Sequence, residues 1–189
     1  SPYYNKPTQE GIYQHYKTLL GGSDLPLILY NVPGRTASNI SADTVLRLAI
    51  DFKKIIGVKE ASGNMEQVMD IIHQKPEGFL VISGDDNLTL PIIACGGDGV
   101  ISVSGQAFPK VFSGMVNDAL AGKVEAAQKG HYQLFDITRM LFEEGNPGGI
   151  KAALAAKGIC ETHLRLPLWD ISKNLQRRIE SQIEHYHLE

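Results

Sequence analysis

Four short apolar runs, three of them finishing in polar residues, constrain this chain more than any other feature. They are "LILYNV" (27–32), "IIGVK" (55–59), "FLVIS" (79–83) and "GVISV" (99–103). All four are continuous rather than alternating, the pattern of strands covered on both faces of a parallel sheet. Helical segments lie between them. "QEGIYQHYKTLL" (9–20) comes first, and "SADTVLRLA" (41–49) opens on a serine cap. "NMEQVMDIIHQ" (64–74) carries one apolar stripe, and "NLTLPIIAC" (87–95) is interrupted by Pro91. Strands alternating with helices require right-handed crossovers and an α/β fold. A set of four βα units that begins with a helix fits half of an eight-stranded (β/α)8 barrel better than a complete doubly wound sheet.

After the last run the pattern turns wholly helical: "PKVFSGMVNDALAG" (109–122), then 123–144, 149–158 and 172–186. We therefore expect a boundary near Gly122, with the C-terminal half of a barrel over 1–122 and a helical domain over 123–189. The opening "SPYYNKPTQEG" lacks an initiator Met and reads as the middle of a longer chain, and Leu188-Glu189 reads as vector-derived. A net charge of -3 offers no basic face for nucleic acid. The apolar runs are too short to span a membrane. Cys95 and Cys160 have neither CxxC nor metal-ligand spacing, which implies a reduced, cytoplasmic protein. His131, His163, His185 and His187 show no zinc-ligand pattern, so no metal is expected.

The stretch "IIGVKEAS" poses the chemical question, because Lys59 directly follows a buried run. An unpaired ammonium drawn towards a core is costly and tends to give up its proton. At the C-terminal end of a barrel strand, where active sites form, a free lysine amine can attack a carbonyl and make an imine. The bland alternative is a lysine paired to Glu60 or to a carboxylate on another strand. Tyr30 closes the preceding strand, where a phenol can shuttle the protons that imine formation needs, although a core tyrosine would look the same. Arg35 lies on the next loop and can grip a carboxylate, or simply be solvated. Asp85 and Asp86 open a helix and read as caps rather than as an acid–base pair. "CGGDGV" (95–100) reads as a tight turn into a strand, since it lacks the order of a phosphate-binding loop.

These residues carry a resemblance. "PYYNKP" (2–7), "YNVPGRT" (30–36), "IIGVKEASG" (55–63), "SGDD" (83–86), "GGDGVISV" (96–103) and "LRLPL" (164–168) resemble, in order, the 4-hydroxy-tetrahydrodipicolinate synthase (dihydrodipicolinate synthase) family. The resemblance implies a class I aldolase-like (β/α)8 barrel with a C-terminal helical domain. It implies condensation of pyruvate with aspartate-4-semialdehyde on the route to diaminopimelate and lysine, with no cofactor beyond the lysine–pyruvate imine. By motif, Lys59 is the Schiff-base lysine, Tyr30 its proton donor and acceptor, and Tyr4 a relay reaching a partner subunit's site in a homo-oligomer. Arg35 receives the semialdehyde's carboxylate, the Ile101 backbone contacts pyruvate, and Tyr3 sits near the interface where lysine inhibits some members.

Departures stand beside the matches. The family's first half, with its "GTTGE"-like threonines, has no counterpart here, Ala37 replaces a common glycine, and Gly149 replaces a common proline. Four βα units would also leave two sheet edges open. Rival readings are an N-acetylneuraminate lyase or 2-keto-3-deoxy sugar acid aldolase, which share the Tyr and Lys, and an inactive fragment or non-catalytic binding protein on the same scaffold.

Overall fold

The computed structural model describes residues 1–186, so His187 and the expected vector-derived pair Leu188-Glu189 lie outside the described residues. Four strands form one parallel sheet in sequential order: β1 (Leu27–Asn31), β2 (Ile55–Glu60), β3 (Leu80–Ser83) and β4 (Gly99–Val100). The last is shorter than the run "GVISV" implies: it ends at Val100, and Ile101 N–H then donates to Ser83 O at 3.0 Å. Helix α1 (Gln9–Gly21) precedes the sheet, and α2 (Pro33–Thr36), α3 (Ala42–Asp51), α4 (Met65–Gln74) and α5 (Thr89–Ala94) connect the strands. The four-residue α2 was not legible as a helix in "NVPGRT". Pro91 does not interrupt α5, because it falls in the first turn, where a proline needs no donor.

Side-chain oxygens start these helices as the sequence implies. Ser41 Oγ accepts from Thr44 N–H to open α3 and Asn64 Oδ1 from Gln67 N–H to open α4, while Asp85 Oδ1 accepts from Asn87 N–H and caps the 3-10 turn Asp86–Leu88 ahead of α5. The core of this unit lies between one face of the sheet and the helices. Leu29, Val58 and Val81 pack there with Ile12, Tyr16, Val45, Leu48, Val68 and Ile71. The other face is open: Ile28, Tyr30 and Leu80 are exposed on it. The continuous apolar runs are thus explained, since residues at alternate positions face the helices and the intervening ones form an apolar surface.

The chain divides into two compact units, residues 1–101 and 102–189. That division falls before the expected boundary at Gly122, and α7 (Pro109–Leu120) belongs to the second unit. The physical reason is that α7 buries Phe112 and Met115 in packing with α8 (Val124–Glu143), which the short turn at 121–123 folds back upon it. The second unit also contains α6 (Ser104–Ala107), α9 (Gly148–Ala156) and α10 (Lys173–His185). Ser172 caps α10 and hydrogen-bonds the Glu144 carboxylate through both its N–H and Oγ at 2.6 Å. Gly149 allows α9 to approach α8 closely: a Cβ there would lie 2.6 Å from Leu141 Cα, far inside van der Waals contact.

Gly149→Ala should therefore lower stability by about 1–3 kcal/mol, the usual cost of overpacking. Urea unfolding checks it, and an unchanged midpoint with an unchanged slope would contradict the close approach.

Candidate active site

β1 and β2 are paired so that Tyr30 lies opposite Lys59 and Asn31 opposite Glu60. Neighbouring residues in a parallel sheet share a face, and successive residues alternate between faces. Tyr30 and Lys59 consequently project together from the open face, with the Lys59 Nζ 4.2 Å from the Tyr30 ring centroid. That is a cation–π distance, and it puts the amine beside a phenol at the C-terminal ends of two adjacent strands. Lys59 is half-buried and Tyr30 is 37% exposed, so a small molecule can reach both.

Two neighbours support the pair. Gly84, of the "SGDD" motif just beyond β3, leaves the space in which the Lys59 chain lies: a Cβ there would sit 3.0 Å from Lys59 Cε and 2.8 Å from Ala61 Cβ. The other neighbour was not singled out from the sequence, where it is one apolar position of a helix. Tyr16 of α1 is buried, which pushes its hydroxyl up to about 12, while a hydrogen bond with the Tyr30 backbone works the other way.

The other expected site residues lie around this pair but not in it. Arg35 is exposed on α2, which starts two residues after β1 and ends at Ala37 in the left-handed conformation, φ 56°. Tyr4 N–H donates to Thr36 O at 3.1 Å, tying the "PYYN" segment to the same turn. The Tyr4 side chain is 75% exposed and its ring pairs with that of Tyr3, centroids 6.3 Å apart. Ile101 follows β4, and because its N–H is committed to Ser83 O, any backbone contact with a substrate falls to the carbonyl. Asp85 takes the cap role, and burial, reinforced by Asp86 beside it, raises its pKa above the ordinary carboxylate value. Among the described residues, no group of three or more His, Cys, Asp or Glu is arranged to hold a metal ion. No helix there is long and apolar enough to cross a membrane.

An amine and a phenol in contact at parallel strand ends, with an arginine on the adjoining turn, agree with what the chain is similar to. The dihydrodipicolinate synthetase family matches residues 1–186. The chain belongs to that family. It is 55% identical over 180 residues to the 4-hydroxy-tetrahydrodipicolinate synthase of Flavobacterium psychrophilum, covering 95% of this chain and 61% of that protein. The crystal structure of dihydrodipicolinate synthase from Aquifex aeolicus matches with a TM-score of 0.95 at 41% identity, over 99% of this chain and 64% of that one. The chloride-inhibited Acinetobacter baumannii enzyme, complexed with pyruvate, matches with a TM-score of 0.95 at 37% identity, over 100% of this chain and 65% of that one. The chain thus spans roughly three fifths of the length of the relatives it matches, and the likeness makes its four parallel strands and their helices a part of the (β/α)8 architecture of this family.

The raised Asp85 pKa has a testable sign. Its protonated form is favoured in the folded state, so the carboxyl weakens the fold as pH rises through the folded-state value, above about 3.8–3.9 where the unfolded carboxyl ionises. Asn caps as well as Asp. Asp85→Asn should gain stability relative to the parent at neutral pH and lose that gain at acid pH. Urea unfolding at the two conditions checks this, and a gain that does not change with pH would refute it.

Proposed function

We propose that this chain carries the imine-forming centre of a 4-hydroxy-tetrahydrodipicolinate synthase, a lyase of lysine and diaminopimelate biosynthesis acting on pyruvate and aspartate-4-semialdehyde. The observation that carries this reading is the Tyr30–Lys59 contact at the ends of β1 and β2. The pyruvate held by the Acinetobacter relative supports the choice of first substrate.

In this reading the unprotonated Lys59 amine adds to the pyruvate carbonyl carbon. Tyr30 moves protons between nitrogen and oxygen until water leaves and an iminium forms. Tyr30 takes a methyl proton to give the enamine, which attacks the aldehyde carbon of the semialdehyde while Arg35 holds its carboxylate, and the alkoxide so formed takes the proton back. The substrate's own amino group then adds to the iminium carbon and expels Lys59, closing the ring. Lysine supplies the electron sink, so the chemistry calls for no organic cofactor. Gly84 keeps the path of the Lys59 side chain clear, and the Ile101 carbonyl faces the pyruvate.

Tyr4 acts in trans as a proton relay in a homo-oligomer, with Tyr3 beside the interface. Their exposure and the left-handed Tyr4 backbone, φ 74°, support that role, since strain of this kind clusters at functional positions. Free, exposed Cys95 and Cys160 suit a reducing cytoplasm.

Borohydride reduction in the presence of pyruvate, followed by peptide mass spectrometry, tests the reading. Label should appear on Lys59 and vanish in Lys59→Arg, whose guanidinium stays protonated. Tyr30→Phe should still bind pyruvate but turn over about 10²–10⁴-fold more slowly in the enzyme of full family length. Label on another lysine would refute the assignment. The open apolar sheet face should also drive the 189-residue chain to self-associate, whereas a monomer by light scattering, melting cooperatively, would speak against an unsatisfied surface.

A further inference from the structure

Glu60 follows Lys59 and points the opposite way, into the core, where it is 1% exposed. Burying a carboxylate is expensive, and an apolar residue of similar size would usually serve packing as well or better. Among the described residues none of the ion pairs includes it. Neutral donors hold it instead. Oε1 accepts from Ser62 N–H at 2.7 Å, and Oε2 from Gln67 Nε2 at 3.1 Å. Asn31 Nδ2 donates to both oxygens, at 3.1 and 3.0 Å.

Asn31 is itself fully buried and fixed in orientation. Its Oδ1 accepts from Ile40 N–H at 2.9 Å, and its Nδ2 also reaches Asn39 Oδ1 at 2.8 Å. Asn39 Nδ2 closes the loop by donating to Gln67 Oε1 at 2.8 Å. The network therefore joins the end of β1, the approach to α3, the end of β2 and the first turn of α4. Backbone bonds reinforce it: Ala61 N–H donates to Asn31 O at 2.8 Å, and Gly84 N–H to Glu60 O at 2.7 Å.

The Asn31–Glu60 pair sits one register step beyond Tyr30–Lys59, on the other face of the same two strands. We propose that Glu60 and Asn31 are positioning residues, whose buried pairing locks the ends of β1 and β2 and so holds the Tyr30 phenol against the Lys59 amine. The inference rests on the reading of Lys59 as the imine-forming lysine. Glu60 faces away from the amine, on the buried side of β2. It acts through the backbone, and the alternation of a strand separates the costly polar network from the reacting groups.

The test uses the full chain and two reagents on Lys59: pyruvate with cyanoborohydride, and trace acetic anhydride, which reports amine reactivity without any substrate. Asn31→Asp puts a second carboxylate against Glu60. It should slow trapping about tenfold to a hundredfold, the cost of a small misplacement, and change the anhydride reactivity of Lys59 relative to other lysines. Adding Glu60→Gln restores a donor facing an acceptor, and the double variant should return both readouts to within about threefold of the parent. Gly149→Ala, in the other unit, serves as the control, lowering stability without altering Lys59. If Asn31→Asp fails to fold, Glu60→Gln alone supplies the milder lesion and should move both readouts in the same direction.

A folded Asn31→Asp with parental Lys59 behaviour, or a folded double variant as impaired as the single one, would overturn the proposal. A Gly149→Ala chain that perturbs Lys59 equally would reduce the effect to general stability and overturn it too. Should the parent chain itself fail to trap pyruvate, the imine reading falls. The anhydride comparison then still decides whether the network positions Lys59.

Discussion

The strand period of two is the constraint on which this site depends. At the ends of β1 and β2 one cross-strand pair, Tyr30 and Lys59, faces the open side of the sheet, and the next, Asn31 and Glu60, faces the helices. A shift of one residue in the register of either strand would exchange these faces, placing an ammonium in the core and a carboxylate outside. The buried side is thus specified by hydrogen bonds as well as by apolar contact. Leu29, Val58 and Val81 supply the packing behind it, and the polar ring at the strand ends selects a single pairing from those that packing alone would tolerate.

The loops follow from the same arrangement. Asn31 Oδ1 takes the N–H of Ile40 just before α3, and Glu60 takes that of Ser62 just before α4. The return from strand to helix is therefore set by side chains of the strand itself. Ahead of Ile40, the short helix α2 turns the chain so that the Thr36 carbonyl accepts from the Tyr4 N–H beside the end of β1. The loops beyond the strand ends are thereby anchored to the sheet.

Much of this was legible in the sequence. Apolar runs ending in Tyr30-Asn31 and Lys59-Glu60 located the strand ends, and the caps at Ser41 and Asp85 were readable from residue type and place. Three things were not. α2 is a single turn with no room for periodicity, and its only cue was the proline at its start. The division between units lies ahead of Gly122 because α7 pairs with the helix after it, a choice of partner that an amphipathic stripe does not encode. Glu60 looked like a possible ion-pair partner for Lys59, whereas adjacent residues in a strand point apart. Its true partners are amides 29 and 7 residues away along the chain, Asn31 and Gln67.

Holding a buried carboxylate with amide donors has a consequence for the medium. Screening ions weaken interactions between exposed charges, such as Arg47 with Glu10 and Lys54 with Asp24. The Glu60 carboxylate is held by Asn31, Gln67 and the Ser62 backbone, neutral donors among which no cation stands to be competed away. The pairing of Asn31 with Glu60 at the ends of β1 and β2 thus leans less on charge–charge attraction than the surface does, and added salt weakens the exposed pairs first.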